Sequence, residues 1–237
     1  MNFYSRHRFT ILLAALLLLM ASRPATSGSR LGELVVSCFG LLLLVAAIVT
    51  LCAERRFRGA ALAIGIPPIV IVAVSEFLPQ AMADSTRLAA RGCAAAFLAF
   101  TVVMIVRSVL TTRDVTWDTI IGALTGYVLM GIVWTQMYSA LELAAPRSFA
   151  VLHSSLDMRN DPMNSHAVLE YFSFATLSTV GYGDVTPVSR SARSLAALEA
   201  VCGQVYLAVL VAGLVGIRGG VRASKTPDAP SEPIART

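Results

Sequence analysis

The chain has 237 residues, 56% of them hydrophobic and 14% charged, with a formal net charge of +5 and a mean hydropathy of +0.71. Soluble domains lie nearer about 45–50% apolar, so this composition excludes an ordinary soluble protein and indicates a membrane one. The basic residues are scattered between apolar runs without interleaved aromatics, which excludes a nucleic-acid patch and points to basic loops at a membrane face. Cys38, Cys52, Cys93 and Cys202 fall in or at the ends of apolar segments. Their spacing makes neither a metal site nor a disulfide framework, and they read as small packing residues.

Residues 1–112 read as an N-terminal membrane scaffold with spans at about 9–22, 31–52, 60–78 and 88–110. Arg6, His7 and Arg8 precede the first run, which is shorter than the roughly 20 residues a crossing helix needs. Two readings stand. It is a short or tilted span extended by Phe3 and Tyr4, which is the favoured one, or a signal peptide with a poor cleavage region at 21–25. The second run closes on Glu54, Arg55, Arg56 and Arg58. The third contains Pro67-Pro68, which removes two backbone donors and predicts a kink or a split. In the fourth, Arg87 and Arg91 precede an uncharged stretch at 92–106, and Arg107 stands alone.

Residues 113–218 have a different organisation: an apolar helix at 117–143, a polar loop, a short helix at 166–178, a glycine motif at 179–184 and a last span at 194–217. Trp117 and Tyr138 stand near the ends of the first of these, where amphipathic aromatics anchor at a membrane interface. Gly122 and Gly126 have the small-xxx-small spacing that permits close helix approach, or are simply glycines tolerated in a membrane helix. In the polar loop, His153 and His166 read as solvated, with pH sensing or metal binding as the alternative. Asn164 or Ser165 caps the short helix and Glu170 lies in its early turns, where a negative charge is favoured. At about 18 Å this helix enters only half the membrane, which is permitted where protein surrounds it. The tail at 219–237 mixes Gly, Ser, Pro and charge and reads as disordered.

The motif is Thr179-Val180-Gly181-Tyr182-Gly183-Asp184. Six fixed residues arise by chance at about one in tens of millions of positions, so a fortuitous glycine turn is a poor explanation. Carbonyls of consecutive residues can face one axis if the backbone alternates in hand, and Gly181 and Gly183 tolerate positive φ. Val180 and Tyr182 then turn outward as braces. Thr-Val-Gly-Tyr-Gly is the sequence whose carbonyls replace the hydration shell of K⁺ in potassium channels. The run from Glu170 to Asp184, EYFSFATLSTVGYGD, resembles the pore loop of tetrameric potassium channels, and the resemblance extends from about Trp117 to Ile217.

That resemblance implies a tetrameric potassium-channel pore, with outer helix, re-entrant pore helix and filter, and inner helix, preceded by three or four scaffold spans. It implies ion binding at Thr179, Val180, Gly181, Tyr182 and Gly183, with filter support from Asp184, Tyr171, Phe172, Ala175 and Ser178. Gly203 resembles the gating hinge of the inner helix, with a packing glycine as the equal alternative. Gln204, Leu207, Val211 and Val215 would line the cavity. In relatives a pore-helix Glu, or a Trp at the place of Phe172, bonds to the Asp after the filter. Ala175 and Phe172 cannot, so a weakly braced filter is expected. Glu199 is the one carboxylate in the last span and needs a partner there, expected to be hydroxyls of the pore helix.

The implied function is passive, K⁺-selective conduction by a homotetramer in a lipid bilayer, with K⁺ as the permeant ion, no cofactor, no other metal and no nucleic acid. The alternative is a weakly selective cation channel. The implied location is the cell membrane, a bacterial inner membrane, with the filter outside and the C-terminus cytoplasmic. Six spans with one pore loop resemble voltage-gated channels, but the fourth lacks an arginine ladder and reads as scaffold. An enzyme is not expected: an intramembrane serine protease needs a membrane histidine, and no complete span has one.

Overall fold

A computed structural model describes residues 3–26, 30–52, 58–75, 80–111, 116–152 and 162–223. Arg55, Arg56, Glu76, His153 and the tail from residue 224 lie outside the described residues, as do the side chains of Arg87, Asn164 and Val215. The helices are α1 (Phe3–Thr26), α2 (Arg30–Cys52), α3 (Arg58–Ser75), α4 (Gln80–Thr111), α5 (Trp117–Ala144), α6 (Pro162–Leu177) and α7 (Arg190–Ala223). Two short strands, β1 (Phe149–Val151) and β2 (Val185–Pro187), complete the fold. It is an all-α transmembrane architecture with outer helix α5, short helix α6, the motif loop and inner helix α7 in series.

Among the described residues, three helical stretches are long and apolar enough to cross a membrane: Leu88–Thr111, Trp117–Ala144 and Arg190–Gly213. Phe9–Ala21, Gly40–Cys52 and Arg58–Ile71 are shorter apolar helices. The first of these is a packed member of the bundle, since Leu12 and Leu16 are fully buried. α3 runs through Pro67 and Pro68 as one helix, so of the kink or split the pair predicts, the split does not occur. Proline's fixed φ is itself helical, so two lost donors leave the turns on either side to hold the segment.

α5 is the spine of the molecule. Thr116 opens it with a reciprocal cap, its Oγ1 accepting from Thr119 N at 3.3 Å while Thr119 Oγ1 accepts from Thr116 N at 3.4 Å. Such a cap is worth about 1 kcal/mol. One side of α5 packs on α4 and α1, the other on α6 and α7. Gly122 and Gly126 do permit close approach, but to two different partners. A Cβ at Gly122 would lie 3.1 Å from the Phe9 ring of α1, and one at Gly126 would lie 2.7 Å from the Tyr206 hydroxyl of α7. Trp117 is 80% exposed, as an interfacial anchor should be. Tyr138 is not an anchor: it is fully buried, because its hydroxyl has a partner inside the bundle.

The polar loop is more ordered at its base than its composition suggests. Glu142 accepts from the amides of Arg147 (2.6 Å) and Ser148 (2.9 Å), which turns the chain back after α5. β1 then pairs antiparallel with β2, Phe149 opposite Pro187 and Val151 opposite Val185. This ribbon was not foreseen, since three residues are too few for alternation to register. It ties the loop before α6 to the chain leaving the motif, and Leu152 N donates to Asp184 O at 2.7 Å. α6 begins at Pro162 rather than at Asn164 or Ser165. Proline is well placed at a first helical position, where its missing N–H is not needed.

Candidate functional site

The motif loop starts as the cap of α6. Thr179 N donates to Thr176 O at 3.0 Å and Val180 N to Ala175 O at 2.9 Å. With Thr179 at φ 60° between them, these are the two bonds of a Schellman ending, and Thr179 occupies the place usually held by glycine. A β-branched residue there costs about 1–3 kcal/mol of backbone strain. Gly181 N adds a further bond to Ala175 O at 3.2 Å, and Ser178 Oγ bonds Phe174 O at 2.5 Å. Tyr127 of α5 donates to the last helical carbonyl, Leu177 O, at 3.2 Å. The helix end is therefore satisfied from within the chain, and the carbonyls of the loop itself are left for other use.

Beyond the cap, the hand of the backbone alternates. Thr179, Gly181 and Gly183 have φ of 60°, 54° and 79°, whereas Val180 and Tyr182 are not left-handed. The sequence accounts for the two glycines; the threonine is an addition. Alternation turns successive peptide planes so that neighbouring carbonyls share one side, an arrangement suited to a partly dehydrated cation. Residues 178–184 are all exposed in the single chain, Val180 by 52% and Tyr182 by 71%.

The outer end of the loop is braced, contrary to the expectation of a weak support. Neither Ala175 nor Phe172 bonds Asp184, but Tyr171 donates to its Oδ2 at 2.8 Å. The acid's other oxygen, Oδ1, accepts from Val185 N at 3.0 Å. The Tyr171 ring also stacks on Tyr182, with centroids 6.1 Å apart and planes 9° from parallel. The bond to Asp184 favours the neutral phenol and pushes the Tyr171 pKa up to about 12. Phe172 supports from behind instead, edge-to-face with Tyr138 at 5.3 Å and Phe149 at 5.4 Å. Such aromatic pairs contribute about 0.5–1.5 kcal/mol each.

α7 presents one narrow face to this assembly: Ala192, Glu199, Gly203 and Tyr206 are buried along it. Glu199 meets the expected pore-helix hydroxyl, with Ser173 Oγ 2.5 Å from its Oε1, and also receives the Tyr138 hydroxyl on Oε2 at 2.5 Å. Tyr206 donates to the Ala123 carbonyl of α5. Of the two readings of Gly203, close packing has a direct physical basis. A Cβ there would lie 2.8 Å from Leu177 O, so α7 touches the end of α6 only because that side chain is absent. α7 is continuous through this point. Gln204, Leu207 and Val211 lie exposed elsewhere on the helix.

Sequence reasoning missed Tyr127, Ser173, Tyr206 and Gly131. Gly131 makes room for the Phe174 ring, which a Cβ would meet at 2.6 Å. The signal for Ser173 and Tyr138 was Glu199 itself, since a membrane carboxyl demands donors within one helix diameter. Tyr127 and Tyr206 had no such signal. His166 lies 3.9 Å from Glu170 and so faces a carboxylate of its own helix rather than standing solvated.

Residues 150–217, from β1 through α6 and the motif loop into α7, match the family described as ion channel. Comparison with curated proteins and with solved structures found no match. The matched region is the one built around the alternating loop, and the match supports an ion channel in a multi-pass membrane protein.

Proposed function

We propose that this chain is one subunit of a K⁺-selective channel in which four copies bring Thr179–Gly183 together around a single axis. The observation that carries the reading is the alternation of hand at Thr179, Gly181 and Gly183 in a Thr-Val-Gly-Tyr-Gly sequence. One loop supplies carbonyls on one side of an ion, and cyclic symmetry supplies the remainder. The exposure pattern agrees. Val180 and Tyr182 are open in the single chain, as are Leu198, Val201 and Val205 of α7, a stripe at helical spacing that further copies would cover.

In this reading K⁺ is the permeant ion and needs no cofactor, and the chain is a conductor rather than an enzyme. It sits in the cell membrane with the filter outside and the C-terminus in the cytoplasm. Gly203 seats α7 against the end of α6, and its neighbours Gln204, Leu207 and Val211 line the cavity. The weakly selective alternative drew on a loosened filter, and the Tyr171–Asp184 bond weighs against it. Steep voltage gating is not expected. Each charge crossing the field yields about 2.3 kcal/mol per 100 mV, and α4 holds Arg91 and Arg107 far apart with an apolar stretch between.

The reading is tested with purified chain in liposomes. It predicts particles of four chains and release of trapped K⁺ that greatly outpaces release of trapped Na⁺. Monomers, or equal release of both ions, would contradict it.

A further inference from the structure

Glu199 is 0% exposed within a single chain, so no surface of it is left for a second copy to touch. It lies at the meeting of three helices, with Tyr138 of α5 on Oε2 and Ser173 of α6 on Oε1. Ser173 Oγ is also 2.9 Å from the Gly131 carbonyl of α5. A serine hydroxyl has one proton to donate. Were Glu199 a carboxylate, Ser173 would face two acceptors with one proton. With a protonated carboxyl every contact becomes a donor–acceptor pair. Tyr138 donates to Oε2, the Oε1 hydroxyl donates to Ser173 Oγ, and Ser173 donates to Gly131 O.

The surroundings argue the same way. α5 faces the group with Tyr138 and Tyr127, and α6 with Ser173, whose next ionisable neighbours are Glu170 and His166, already facing each other. On α7 the nearest ionisable groups are Cys202 and Tyr206, and the nearest cation, Arg193, donates its Nε to Pro187 O at 3.3 Å. Among the described residues no cation pairs with Glu199. A buried, unpaired carboxylate is far more costly than the neutral acid.

We propose that Glu199 is a neutral carboxylic acid that positions the pore helix, clamping α6 and α5 to α7 behind the motif loop, and that loss of its proton in alkaline solution opens the clamp and lowers conduction. The contacts form a ladder. Ser173 meets Glu199, and one turn further along both helices Leu177 meets Gly203. A rotation of α7 that breaks the first contact disturbs the second, and Leu177 is the last residue of α6, directly before the capped loop. The effect on conduction rests on the channel reading; the protonation and the clamp do not.

The test compares the full-length wild type with Glu199→Gln and Glu199→Ala. Glutamine keeps the neutral acid's pattern, its NH₂ donating to Ser173 and its carbonyl accepting from Tyr138. Infrared difference spectra of wild type against Glu199→Gln at neutral pH should show the carbonyl band of a protonated carboxyl. Ionised carboxylate bands in its place would overturn the proposal, whether or not the protein conducts. In liposomes, Glu199→Gln should conduct K⁺ like the wild type at neutral pH. Wild-type flux should then fall in alkaline buffer kept below the range where Tyr171 ionises, about pH 12, approaching about tenfold per pH unit as the proton is lost, while Glu199→Gln stays flat. Glu199→Ala should lose flux or assembly. A Gln variant as damaged as the Ala variant, or an alkaline fall that persists in Gln, would also overturn it. Absence of K⁺ flux from all three proteins would strike the channel reading and leave the infrared result to decide the clamp.

Discussion

The two halves of this molecule are held by different forces. In the scaffold, α1 to α4, the core is chiefly aliphatic, built on Leu12, Leu16, Leu43, Leu44, Leu98 and Ile105. The hydroxyls of Thr50 and Thr101 turn back on carbonyls of their own helices. In α5 to α7, Thr125 and Thr135 do the same, but four other hydroxyls cross between helices: Tyr127 to α6, Tyr138 to α7, Tyr206 to α5, and Ser173 to both α5 and α7. Lipid tails are as apolar as leucine, so aliphatic packing fixes shape but discriminates weakly between helix rotations. A crossing hydrogen bond discriminates strongly, because a small rotation leaves both partners unpaired in a dry interior. The half that must hold a loop in unusual backbone conformation is the half that uses polar contacts.

The sharpest break in this contrast should come at Gly181, where φ is 54°. Gly181→Ala forces a side chain into the left-handed region. Selective K⁺ flux should be lost while the scaffold still folds, as shown by unchanged helix content. Gly203→Ala comes next. Its Cβ would press on a backbone oxygen at 2.8 Å, whereas one at Gly213 would meet the flexible end of Leu110 at 3.1 Å. The first change should destabilise the assembly and depress flux, and the second should do little; a pair of equal thermal unfolding curves would remove Gly203 from the account.

Tyr171→Phe keeps the ring stacked on Tyr182 but removes the bond to Asp184. It should conduct at first and inactivate faster at low external K⁺, measured as current decay. With the Tyr171 pKa pushed up to about 12, the wild-type brace should persist through the physiological range and fail only above it, as the phenol ionises. The smallest effect on ion selection is expected from the other half. Leu16→Ala opens a cavity in the scaffold core and should cost about 2 kcal/mol of stability, with no change in the preference for K⁺. An altered preference would mean that scaffold packing reaches the filter and that the division drawn here is wrong.

The sequence made α5 to α7 more legible than the scaffold for a related reason. Thr179 to Asp184 and the glycines at alternate positions are demands of backbone geometry, which few residue types meet. Glu199 announced a need for donors and identified the pore helix as one source. What stayed hidden were the answering groups. Tyr138 looked like an interfacial anchor because position in a helix does not reveal which tyrosine finds a carboxyl. Tyr171 stood among the expected supports of the motif, but its bond to Asp184 was not foreseen, because the partner of Asp184 was sought at positions 172 and 175. In the scaffold, Pro67 and Pro68 predicted a kink or a split, and the helix is not split; beside the motif loop, the β1–β2 ribbon was too short for any periodicity.

The central claim is that the alternating backbone of Thr179 to Gly183 selects K⁺. It is met most directly by the reversal potential of the reconstituted protein when K⁺ on one side is exchanged for Na⁺. The account predicts a potential that follows the K⁺ gradient and moves toward zero in Gly181→Ala. A wild-type potential near zero in that gradient, with current flowing, would contradict it.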